Sequence, residues 1–233
     1  FLAILASAGY LRREGLGGGE YYALLLWCAS GVLLMGRATE LITLFVALEL
    51  LSICLYSLAG YHRRLSVATE AANKNFLLGA FVSAFVLYGI ALLYGETGTT
   101  SLAALGSYLS SGEISPLAAL GVLLLVCGFA FKMSLAPFHA WAPDAYQGAP
   151  SPFVAFLSVA PKAASAVVLV RLLALVMPGE SANWSDLVAL LAVLSMAVGN
   201  LLALAQRDIK RMLAYSGIAH MGYLLVPLVT LGP

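Results

Sequence analysis

Apolar runs long enough to cross a bilayer recur along the whole chain and leave little choice of fold. A span needs about 20 apolar residues. The tail of one such run occupies Phe1 to Tyr10. Complete runs follow at Tyr21–Gly36, Leu41–Tyr61, Ala71–Gly95, Pro116–Leu135, Phe153–Met177, Leu187–Gln206 and Ile209–Leu231. A polar connection from Glu96 to Ser115 separates the third from the fourth, and within it Leu102–Leu109 reads as a short surface helix. No strand-type alternation interrupts the pattern. The fold class is therefore all-α, a polytopic transmembrane helix bundle. Composition agrees: 62% of the 233 residues are hydrophobic and 10% charged, against about a half and about a quarter in soluble domains.

The loop charges give the bundle an orientation. If the first loop is cytoplasmic, the cytoplasmic side carries Arg12, Arg13, Arg63, Arg64, Arg207, Lys210 and Arg211, while the opposite loops carry only Arg37 among Glu40, Glu96, Glu113, Glu180 and Asp186. That bias follows the positive-inside rule. A net charge of +1 leaves no electrostatic footprint for nucleic acid. Cys28, Cys54 and Cys127 fall singly in three different runs, so no disulfide framework or metal spacing follows and they read as small core residues. Asn183-Trp184-Ser185 matches a glycosylation sequon and reads as chance. The chain begins at Phe1 inside an apolar run, with no signal-peptide pattern, and stops just after a span. It reads as an internal piece of a longer protein.

Against this background a few side chains stand out. Glu49, Lys74, Lys132, Lys162 and Arg171 lie in or near the spans, with His220 and His139. Charge at bilayer depth is costly unless it is paired or faces water, so each is expected to face a protein or water interior. Glu49 is near mid-span, and Ser52 and Tyr56 follow at i+3 and i+7 on the same helical face. A neighbouring lysine would favour its charged form while burial opposes it; pairing for assembly alone is the structural alternative. Lys74 has Glu70 one turn before it and stands near the cytoplasmic start of its span, where snorkelling competes with a functional role. Arg171, near the other side, reads equally as a structural ion pair or a transport residue. Lys162 follows Pro161 directly, with Ser158 and Ser165 on its face, which suggests a hydrated polar stripe. His139 suits either proton relay or capping. His220, with Tyr215 and Ser216 nearby, suits relay or a satisfied core position.

The stretch from Phe129 to Lys162 concentrates these features. It holds two lysines, a histidine, an aspartate and five prolines between apolar flanks. Pro137 and Pro143 cannot sit quietly in a continuous helix. The helix carrying Lys132 is expected to break around Leu135–Trp141, and broken helices near the midplane are a common setting for ion sites in transporters. Nothing in the sequence suits redox or nucleotide chemistry: there is no haem-ligand pair, no cysteine cluster and no phosphate-binding glycine loop. A row of buried acid and lysines can instead pass protons through water, each moving when a neighbour's charge changes.

These residues carry a resemblance. Phe131-Lys132-Met133-Ser134, Pro137-Phe138-His139, Trp141-Ala142-Pro143-Asp144 and Tyr146-Gln147-Gly148-Ala149-Pro150 resemble the antiporter-like membrane subunits of respiratory complex I, the N-type in particular. Glu49-Leu50-Leu51-Ser52 with Leu55-Tyr56, the run from Glu70 to Ala80, Gly199-Asn200-Leu201, Ile209 to Ser216 and Ile218 to Tyr223 extend the match over nearly the whole chain. The family more often has Tyr where Asn75 stands.

The resemblance implies a proton-translocating subunit of an NADH–quinone oxidoreductase. It implies inverted five-helix repeats, each with a broken helix. Residues 1–20 would then end a preceding helix, 21–177 form the first repeat and 178–233 supply the first two helices of the second. Glu49 and Lys132 would form the coupled pair, Lys162 the central axis, with Lys74 and His220 assisting. The resemblance implies no cofactor in this chain; NADH, FMN, iron–sulfur clusters and quinone belong elsewhere in such a complex. The implied partners are neighbouring antiporter-like and small membrane subunits and the lipid bilayer. The composition favours a bacterial plasma membrane over a mitochondrial inner or thylakoid membrane. Two other readings stay open: a subunit of a cation/proton antiporter or membrane-bound hydrogenase, and a non-transporting scaffold.

Overall fold

A computed structural model describes residues 1–110, 114–176 and 181–229. The ends at Met177 and Leu231 of two expected spans, the repeat boundary between 177 and 178, and Glu113 and Glu180 lie outside the described residues. The side chain of Asn183 does too. The described chain is helical: α1 (Leu2–Arg13), α2 (Gly19–Arg37), α3 (Leu41–Ala59), α4 (Ser66–Thr97), α5 (Leu102–Ser110), α6 (Pro116–Met133), α7 (Trp141–Gly148), α8 (Ser151–Val176), α9 (Ser181–Leu204) and α10 (Ile209–Val229). Among the described residues seven of these are long and apolar enough to cross a membrane: α2, α3, α4, α6, α8, α9 and α10. The protein is a multi-pass membrane protein. Large apolar side chains such as Leu33, Ile53, Leu77, Phe81 and Leu201 stay exposed on outer faces, as a lipid-facing bundle requires.

Local chemistry sets the helix ends. Ser115 caps α6, its hydroxyl accepting the Ala118 N–H at 3.1 Å, and Pro116 occupies the first turn, where a missing N–H costs nothing. The α4 helix stops at Gly98, which turns left-handed at φ 66°. The expected span from Ala71 begins earlier, at Ser66, because nothing between Ser66 and Glu70 breaks a helix. Short backbone pairings tie the ends of α2 and α4 together. The Leu41 N–H donates to the Thr100 carbonyl at 2.8 Å, and the Leu102 N–H to the Thr39 carbonyl at 3.0 Å. The short helix expected at Leu102–Leu109 is present as α5. It is no free surface helix, since Leu102, Leu105 and Leu109 are buried and α5 packs on α8.

The fold centres on α8, which touches α1, α2, α5 and α6. The α4–α6 crossing is close: a side-chain carbon on Gly89 would stand 2.7 Å from the Gly121 carbonyl. Small residues permit that approach where no hydrophobic force draws helices together in lipid. The α9–α10 pair packs mainly on itself and meets the rest through α7 and α8. It thereby comes to stand beside the break between α6 and α7.

Candidate functional site

The break falls at residues 134–140, where the prolines predicted it. Ser134 leaves α6 in the left-handed conformation, φ 61° and ψ 37°. Its N–H donates to the Phe131 carbonyl and the Leu135 N–H to the Ala130 carbonyl, both at 2.9 Å, a helix-closing arrangement that satisfies carbonyls the helix has abandoned. The indole N–H of Trp141 also donates to the Phe131 carbonyl, at 2.9 Å. The Ala136 N–H donates to Ser195 Oγ on α9 at 2.9 Å. Each of these groups would otherwise be a bare backbone dipole in a buried setting.

Lys132 ends α6 just before this break and is 5% exposed. Its Nζ donates to Ser52 Oγ at 2.7 Å and to Tyr56 Oη at 3.2 Å, and lies 5.3 Å from the centre of the Tyr56 ring. Both partners lie on the α3 face that the sequence marks through Glu49, Ser52 and Tyr56. Gly79 on α4 makes this possible, because a side-chain carbon there would overlap the Tyr56 hydroxyl. Glu49 is half-buried, and its Oε1 accepts a hydrogen bond from Ser83 Oγ. Among the described residues no ion pair joins Glu49 to Lys132. Ser52, which accepts from Lys132, lies one turn from Glu49 on α3.

Lys162, ten residues on from the start of its predicted span, is 1% exposed. Its Nζ has no hydrogen-bond partner among the described residues, and neither has the buried Oη of Tyr146. Nζ lies 5.5 Å from the centre of the Tyr146 ring. The polar stripe expected from Ser158 and Ser165 does not serve the lysine. Those hydroxyls donate at 2.8 Å to the Ala155 and Pro161 carbonyls of their own helix, a common use of serine in apolar surroundings.

Other candidates divide. Lys74 does not join Lys132. It is exposed, with Nζ 2.7 Å from Glu70 Oε1, as its spacing predicts, and 3.1 Å from Asp144 Oδ2. Asp144 in turn pairs with Arg211, which also donates to Gln147 Oε1 at 3.1 Å. This cluster of α4, α7 and α10 is the part that sequence reasoning missed; its signal was Asp144, Lys210 and Arg211 on the same side. Burial alone would raise the Asp144 carboxyl, but Arg211 and Lys74 outweigh it and hold it below the ordinary carboxylate range. Lys210 caps the far end of α7 by donating to the Ala149 carbonyl at 2.9 Å.

His139 stands in the break with Nδ1 buried and unpartnered among the described residues, its ring 6.3 Å from that of Tyr215. His220 is exposed rather than set beside Lys162. Its Nδ1 lies 2.7 Å from its own helix's Ser216 carbonyl, and its ring is against Tyr223. Tyr215, expected near His220, faces His139 instead. Arg171 donates from Nη1 to the Gly36 carbonyl at 2.9 Å, in the last turn of α2. A cation on an orphaned helix carbonyl straps the two helices together; among the described residues no ion pair is seen for Arg171. Pro137 is exposed at the break and Pro143 is buried in α7.

Residues 38–232 match the family described as NADH:quinone oxidoreductase/Mrp antiporter, TM. The chain belongs to that family. It is 50% identical over 227 residues to NADH-quinone oxidoreductase subunit N of Trichlorobacter lovleyi, covering 97% of this chain and 47% of that protein. It superposes with a TM-score of 0.80 on a chain of respiratory complex I from Thermus thermophilus with bound aureothin, at 44% identity, over 97% of this chain and 49% of that one. A chain of the Mrp complex from Dietzia sp. shares the fold, with a TM-score of 0.86 at 23% identity, over 98% of this chain and 43% of that one. The chain thus spans about half the length of the relatives it matches.

Two outcomes test this description. Ser195→Ala leaves the Ala136 N–H buried without its partner, and is expected to lower stability by about 1–3 kcal/mol, read as an earlier thermal unfolding of the detergent-solubilised protein. Arg171→Met is expected to destabilise as well in the same assay, by removing the hydrogen bond that ties α8 to the last turn of α2. An unchanged unfolding temperature in Arg171→Met would show that this bond does not hold the two helices together.

Proposed function

We propose that this chain is a proton-translocating part of a membrane NADH–quinone oxidoreductase, of the antiporter-like N type. The observation that carries the reading is the pair of almost fully buried lysines, Lys132 and Lys162, on the two sides of a broken helix. One is held by hydroxyls beside a carboxylate; the other has no partner among the described residues. Buried lysines change protonation with their neighbours' charge. When Glu49 approaches, Lys132 is stabilised as an ammonium; when Glu49 turns to Ser83, Lys132 more readily releases its proton. Lys162 receives the next proton along the membrane plane, towards the second repeat that α9 and α10 begin. His139 stands in the break as a relay, whereas Lys74 assists from the rim and His220 from the exposed middle of α10.

In this reading electrons travel elsewhere. NADH, FMN, iron–sulfur clusters and quinone are bound by other subunits of the complex, and this chain contacts neighbouring antiporter-like and small membrane subunits. The membrane is a bacterial plasma membrane, in keeping with the bacterial relative above. Residues 21–177 constitute one repeat and 178–233 the opening of another. A second reading, a subunit of a cation/proton antiporter, draws support from the family's description and from the Mrp likeness. Purification of the assembly separates the two, because only the first brings a flavin and iron–sulfur clusters with it.

The decisive experiment measures proton pumping coupled to NADH oxidation in assembled Lys132→Ala and Glu49→Ala complexes. Pumping is expected to fall by at least about tenfold, on the scale of a lost proton-transfer group. Pumping at the unmodified level in both variants sinks the assignment.

A further inference from the structure

Lys162 Nζ and Tyr146 Oη are two of five buried polar atoms without a hydrogen-bond partner among the described residues, and these two lie together. Each residue is 1% exposed, and neither atom has a hydrogen-bond partner among the described residues. A buried ammonium or hydroxyl is rarely left so, because the lost hydration is not replaced. Both atoms border one small space on α10. A side-chain carbon built on Gly217 would stand 3.1 Å from Nζ and 3.8 Å from Oη. Any residue larger than glycine would fill that notch.

The notch is not sealed. Gly217 and Tyr146 also line a cavity of about 600 Å³ between α7, α8 and α10, whose wall includes Ser151, Lys210, Ser216 and His220. Lys210, near the start of α10, lines the same cavity, and Gly217 and Tyr146 are where its wall meets the notch beside Lys162. A water occupies about 30 Å³ and needs two or more polar partners. The notch supplies two, and the cavity supplies room and exchange.

We infer that Gly217 keeps open a water site between Lys162 Nζ and Tyr146 Oη, and that this site is the proton port of Lys162. The inference rests on the proton-translocation reading above and assigns the lysine's supply to α7 and α10 rather than to the serines of α8. The step balances simply. A protonated water in the cavity gives one proton to the neutral amine, leaving water and an ammonium; the reverse step returns it. Tyr146 is a positioning residue. Its hydroxyl donates to the water's oxygen or accepts one of its protons, and its ring faces the ammonium. His220 and Ser216 wet the outer part of the cavity, which gives His220 a place on the route without contact to Lys162.

The test uses the assembled complex and measures protons moved per NADH oxidised. Lys162→Ala serves as the reference, and unimpaired pumping there overturns the underlying proton-translocation reading. Given a loss in that variant, Gly217→Ala is expected to reduce pumping by about tenfold or more, because a methyl group replaces the water beside Nζ. Gly217→Ser, larger than alanine by one oxygen but carrying a hydroxyl that can stand in for the water, is expected to recover to within about threefold of the unmodified level. Tyr146→Phe keeps the packing and removes only the oxygen, and a loss of several-fold is expected; it carries the test if Gly217→Ala fails to assemble. Equal losses in Gly217→Ala and Gly217→Ser point to packing and overturn the inference. So does full pumping in Gly217→Ala or in Tyr146→Phe.

Discussion

A helix cannot be interrupted inside a bilayer unless every freed backbone group finds a partner, and this requirement governs the arrangement around residues 134–140. The break needs Ser134 turned left-handed, the Trp141 indole on the Phe131 carbonyl, and Ser195 on the Ala136 N–H. The last partner comes from α9, which follows the first group of spans in the chain. The α9 helix is therefore part of what holds the break open, and not simply its neighbour.

The two buried lysines illustrate how burial and partner supply set different tasks. Lys132 is held by Ser52 and Tyr56, with the Glu49 carboxylate drawn aside by Ser83. Lys162 has an aromatic face and a glycine notch instead. An ammonium in the first setting is stabilised by fixed dipoles; in the second it depends on whatever solvent reaches it.

Much of this was legible in the sequence. Hydrophobic run lengths gave the spans, because bilayer thickness fixes helix length. Pro137 and Pro143 located the break, and the i, i+3, i+7 spacing of Glu49, Ser52 and Tyr56 named the face that meets Lys132. What escaped was contact between distant segments. Ser158 and Ser165 share a helical face with Lys162, yet periodicity cannot tell whether a serine turns outward or back onto its own helix. His220 lies mid-span, but only packing revealed that its face is open. Lys74 gave its local partner, Glu70, through spacing, while Asp144 lies 70 positions away.

The Glu70–Lys74–Asp144–Arg211 cluster has a further consequence. It joins α4, α7 and α10 at one rim of the bundle, and its formal charges, two negative and two positive, cancel. An electroneutral clasp of this kind exerts little net field on the interior of the bundle, and it can loosen or tighten without moving net charge across the membrane. Motion of α10 can therefore reach α7 mechanically through charges that cancel where they stand.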